Sequence, residues 1–179
     1  MIANFILNQI GVTCSYTKEV EALLVAAIKE SNKPRGCHLF HENQLRLFEL
    51  PNCEMLIKTY LETFPADFSS VFCPKAVKKL FELNDATELW NLFIIKSNST
   101  CFNYELEKLL VENPKLTEAL KTYIKKECPP LFEDNEETLF SRPDANEIVP
   151  FYISVLKDKC NEEAVKQIAD RAKEHGITI

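Results

Sequence analysis

Glycine is scarce: three residues in 179, where average usage would give about a dozen. Gly11, Gly36 and Gly176 stand far apart, so no cluster of glycines exists to bring backbone against phosphate. A dinucleotide-binding fingerprint and a P-loop are therefore excluded. The same shortage disfavours hairpin-rich β architecture, whose tight turns call for positive φ. A basic excess is missing too. Twenty-one lysines and arginines against 27 aspartates and glutamates leave a net charge of −6, a poor basis for wrapping a phosphate backbone. No stretch supplies the ~18 uninterrupted apolar residues of a membrane span. The apolar opening, residues 1–10, lacks the basic start of a signal peptide and is interrupted by Asn4, Asn8 and Gln9. These absences predict a soluble, cytoplasmic chain with no nucleic-acid partner and no membrane insertion.

Seven cysteines are many, but the count is odd and no C-x-x-C pair occurs, which argues against a closed disulfide framework. Their placement follows something else, a repeat. Residues 47–61 recur in altered form at 80–94, at 109–124 and at 139–153. Aligned on one aromatic position, Tyr60, Phe93, Tyr123 and Tyr152 are separated by 33, 30 and 29 residues. Leu23, Leu24, Ala27 and Ile28 hold the same register in a divergent earlier unit.

Each unit reads as an αα-hairpin. An apolar pair such as Leu47/Phe48 ends a first short helix, a turn of Pro, Asn or Asp follows, and a second helix starts at Asn52, Asp85, Asn113 or Asp144. Those residue types cap orphan N–H groups, and Asp85/Glu88 and Asp144/Glu147 have capping-box spacing. Leu56, Ile57, Tyr60 and Leu61 make one apolar face on the second helix. One hairpin cannot bury both its helices, so neighbours must stack. The expected fold is all-α: an α-solenoid of stacked antiparallel helical hairpins, in one domain. Its units span roughly 1–36, 37–72, 73–100, 101–128 and 129–160, with a capping helix in 161–179. First helices are predicted near 2–10, 41–50, 74–83, 102–112, 133–141 and 162–174, and second helices near 17–31, 52–64, 85–97, 114–127 and 144–158.

Cys37, Cys73, Cys101, Cys128 and Cys160 each fall at or just before a first helix, and Cys53 stands where other units have Ala86 and Ala145. Small apolar packing explains such recurrence, because free cysteine is easily buried. One cluster has chemistry of its own. Cys37 with His38 and His41 could form a thiol–imidazole pair, and a small cysteine-dependent enzyme is the alternative function. The same three residues are too few to hold zinc without a further ligand, and no metal and no cofactor is expected. Trp90 aligns with Ile57, Leu120 and Val149 and reads as core.

Two segments are candidates for partner binding. The connector at 64–72 is the longest insertion between units, and Phe64, Phe68 and Phe72 on it either form a docking surface or plug the groove between units. Glu133, Asp134, Glu136 and Glu137 form an acidic run, read either as a solvated face or as a ridge selecting a basic partner.

The unit written L-F-E-L-P-N-A-E-E-L-x-K-x-Y-I resembles short helical tandem repeats of bacterial proteins, some of them similar to effectors of intracellular pathogens such as Legionella. The likeness rests on 47–61, 80–94, 139–153 and the run at 160–164, within residues 37–170. The third unit departs from it through the Asn113-Pro114 turn. The resemblance implies a non-enzymatic interaction module that binds a protein partner in a bacterial or host cytosol, as an effector or its regulator. It carries over no catalytic residue.

Overall fold

A computed structural model describes residues 2–31, 39–64, 71–84, 86–97, 104–127 and 130–179. Cys37, His38, Phe68, Asp85, Cys101 and Cys128 lie outside them. The described residues form eleven α-helices and no strand: α1 (Ile2–Gln9), α2 (Lys18–Ser31), α3 (His41–Leu47), α4 (Cys53–Thr63), α5 (Pro74–Glu82), α6 (Thr87–Lys96), α7 (Tyr104–Glu112), α8 (Thr117–Glu127), α9 (Glu133–Phe140), α10 (Ala145–Lys157) and α11 (Glu162–Glu174). A 3₁₀ turn at Pro114–Leu116 leads into α8. Every expected helix is present within a few residues of its expected ends. None is long and apolar enough to cross a membrane.

The chain divides into two compact units, Met1–Asn98 and Ser99–Ile179. In the first, α1, α3 and α5 pack side by side as one layer and α2, α4 and α6 as a second, while α1 pairs with α2, α3 with α4 and α5 with α6. In the second unit α7 packs on α9 and α8 on α10, the hairpins are α7/α8 and α9/α10, and α11 closes on α10. This layered stacking is compatible with an α-solenoid.

The aligned aromatics Tyr60, Phe93, Tyr123 and Tyr152 are all buried, as are their followers Leu61, Ile94, Ile124 and Ile153. Burying side chains of this size, at roughly 1.5–3 kcal/mol each, is the main reward for stacking. Trp90 is core as expected, its Nε1 donating to the Leu80 carbonyl at 2.8 Å. Phe64 and Phe72 are core as well, 1% and 3% exposed. Phe72 stacks on Tyr60 at 5.2 Å and on Phe93 at 6.1 Å, and Phe64 lies against Tyr60 at 5.5 Å. These two phenylalanines plug the interior; neither offers a docking surface.

The capping pattern needs correction. Asn113 caps its turn, accepting from the Lys115 N–H at 3.0 Å. Asn52 and Asp144 stand at N-cap positions, yet their side chains cap nothing. The Asn52 amide donates to Glu21, and the Asp144 carboxylate is held by Arg142 at 2.7 and 2.8 Å. Glu147 likewise turns to Lys121, at 2.6 Å, instead of closing a box. Asn52 and Glu147 are taken by residues of other helices, Glu21 and Lys121, and Asp144 by Arg142 two residues before it; each bond involves a charged group and is stronger than a neutral one.

Candidate functional site

The polar side chains buried in this fold follow a rule. Gln44, Glu107 and Glu136 each stand on a first-layer helix, and Tyr60, Tyr123 and Tyr152 follow them at the same spacing of 16 residues. The α5/α6 unit has Val77 and Phe93 there, so both members become apolar together. Tyr123 donates to Glu107 at 2.9 Å and Tyr152 donates to Glu136, while Tyr60 donates to the Val71 carbonyl at 3.2 Å.

These groups also reach into the following hairpin. Helices α3, α5 and α9 begin at Phe40, Cys73 and Phe132, side chains that make no cap. The backbone N–H of each is satisfied from the preceding first-layer helix instead: Phe40 by Asn4, Cys73 by Gln44 and Phe132 by Glu107, at 2.8, 2.8 and 2.7 Å. Asn43 and Asn135, three residues into α3 and α9, donate to the same acceptors, Asn4 at 2.9 Å and Glu107 at 2.8 Å. Arg142 works at the other helix end. Buried at 7% exposure, it donates to the last carbonyls of α7, Leu110 at 3.1 Å and Val111 at 2.8 Å, and to Thr117 at 2.7 Å. Sequence reasoning missed this scaffold. The simultaneous change to Val77 and Phe93 at the aligned positions was the signal that could have revealed it.

Glu136 also lines an open cleft. This cleft, about 590 Å³, lies between α9 and α11. Its apolar floor is Leu131, Ala164 and Ile168, and its acids are Glu133, Glu136, Asp170 and Glu174. Arg171 enters it, paired with Glu136 and, at 3.3 Å, with Glu137, and lies over the Phe140 ring at 5.8 Å. His175 meets Glu137 at 2.9 Å. Burial pushes the Glu136 carboxyl above its ordinary range, against the opposing pull of Tyr152 and Arg171. Burial also raises the Tyr152 phenol, and the neighbouring Glu136 carboxylate adds to that.

The acidic run is thus divided among three environments. Glu136 is buried at 2% exposure and belongs to the interior, not to an open ridge. Glu137 is half-buried and engaged by Arg171 and His175. Glu133 and Asp134 are exposed in the first turn of α9, where the helix dipole favours acids, and neither makes an ion pair among the described residues. Glu174 is also exposed and unpaired among them, so Glu133 and Glu174 are the uncommitted charges of the cleft.

Of the proposed thiol–imidazole cluster, only His41 lies in the described residues, exposed at the start of α3. Cys73 is buried at the N-cap of α5, and Cys14, Cys53 and Cys160 are partly buried. Among the described residues no three His, Cys, Asp or Glu side chains gather to hold a metal ion. No known protein family, curated protein or solved structure matches this chain.

Proposed function

We propose that this chain is a non-enzymatic interaction module that takes a basic segment of a protein partner into the α9–α11 cleft. The observation carrying this reading is the pairing of committed and uncommitted acids around one apolar floor. Glu136 and Glu137 hold Arg171 in place, while Glu133 and Glu174 face solvent with no cation of their own. A lysine or arginine side chain can lay its methylene stem along Leu131 and Ile168 and reach those two carboxylates with its head. Long charged side chains favour such sites because stem and head are satisfied separately. The resemblance to effector repeats implies a partner met in a bacterial or host cytosol.

Affinity capture from such a cytosol, with wild type and Glu133→Lys/Glu174→Lys as parallel baits, tests the reading. It expects a basic protein that the wild type enriches and the variant loses. A partner retained equally by both baits contradicts the cleft as the binding site.

A further inference from the structure

The opposite flank of α11 carries a second recess of reversed charge. It is about 560 Å³ in volume and runs between α11 and the C-terminal half of α10. Ile153, Val165 and Ala169 make its floor, and Ile179 stands at its edge. Lys157, Lys166 and Lys173 surround it, with Glu162 as the one acid. Lys173 is paired with Asp170 at 3.1 Å, whereas Lys157 and Lys166 are exposed and make no ion pair among the described residues.

The protein's own second-layer joints show what such a surface accepts. There, apolar contact between neighbouring helices is flanked by a lysine of one helix reaching a glutamate in the first turn of the next: Lys58 to Glu88 at 2.5 Å and Lys121 to Glu147 at 2.6 Å. The α10–α11 recess has the apolar floor and the lysines, but its one acid, Glu162 in the first turn of α11, makes no ion pair with them among the described residues. It is not another copy of that joint, because α10 has Pro150 where α4 and α8 have the joining lysine, and its free cations come from the end of α10 and from α11. We infer that this recess docks an acidic amphipathic helix of a protein partner, which lays its apolar stripe on Ile153, Val165 and Ala169 and sets carboxylates against Lys157 and Lys166. The site is separate from the acidic cleft and stands or falls independently of it.

The experiment is fluorescence anisotropy of the full chain with a labelled peptide of about 14 residues, or about four helical turns, carrying leucines along one face and glutamates beside them. A matching peptide with lysines in place of glutamates is the control. Saturable binding of the acidic peptide is expected, weakened about ten-fold or more in Lys157→Glu/Lys166→Glu and in Ala169→Trp, which fills the floor without altering charge. If Ala169→Trp melts early, the double charge reversal, confined to exposed side chains, decides alone. No binding of the acidic peptide, equal binding of the lysine peptide, or binding that the charge reversal leaves unchanged overturns the inference. So does a concentration-dependent dimer in sedimentation that the charge reversal dissolves, since the occupant is then a second copy of this chain.

Discussion

Glu107 is 1% exposed and carries a network usually spread over several residues: the Tyr123 hydroxyl, the Phe132 N–H and the Asn135 amide all donate to its carboxylate. Removing that acceptor strands three donors at once, two of them buried and the third partly so. Glu107→Leu is therefore expected to cost about 3 kcal/mol or more in urea unfolding, well beyond an ordinary hydrogen-bond deletion. Two other carboxyls move stability with pH in opposite directions. Arg142 holds the Asp144 carboxyl at about 2, below its ordinary 3.8. Its contribution is whole above that ordinary value and is lost as pH falls through about 2. Glu136 is raised by burial, so its ionisation works against the native state, and stability declines as pH rises through and past the ordinary 4.5. In Glu136→Gln the carboxamide keeps an acceptor for Tyr152 but has no charge to desolvate, and that decline is expected to vanish. Unfolding midpoints from about pH 2 to 7 read both effects.

At the scale of the helix, this chain ends and joins its elements with few of the usual local devices. α11 is closed by them at both ends. Its N-cap Asn161 accepts from the Ala164 N–H at 2.8 Å. At the other end Gly176, with φ +77°, lets its N–H reach the Lys173 carbonyl at 2.8 Å and the Ile177 N–H reach the Ala172 carbonyl at 3.1 Å, a Schellman motif. A Cβ at Gly176 meets nothing within 4 Å, so Gly176→Ala carries a purely conformational cost, about 1 kcal/mol in thermal or urea unfolding. Helix positions were legible in the sequence because apolar period and turn residues are local signals, and α4, α6 and α10 lie where Leu56/Ile57, Leu89/Trp90 and Ile148/Val149 put them. The joints were not legible. Glu147 has good local capping chemistry, and nothing nearby in sequence reveals that Lys121, on another helix, will claim it, while Asp144 is taken by Arg142 only two residues before it. Phe40 and Phe132 look like poor helix starts until Asn4 and Glu107, a whole hairpin away, are seen to serve their N–H groups. For the candidate site, the acidic run was found as a string; its division into buried, paired and free carboxylates depends on α11, about thirty residues further on.

Among the described residues, buried carboxylates are used on joints, and Glu133 and Glu174 stand exposed without a partner. In the proposed function, a chain of net charge −6 with free carboxylates over an apolar floor attracts cations at long range and holds an amphipathic one at contact. Such binding weakens with salt, because Glu133 and Glu174 are exposed and screened. The most direct measurement is a calorimetric titration of the full chain with an arginine- and leucine-containing peptide at low and physiological ionic strength, for wild type and Glu133→Lys/Glu174→Lys. The account predicts one-site binding that weakens as salt rises and falls about ten-fold or more in the variant, with its melting temperature unchanged. Binding insensitive to salt and equal in the two proteins would contradict it.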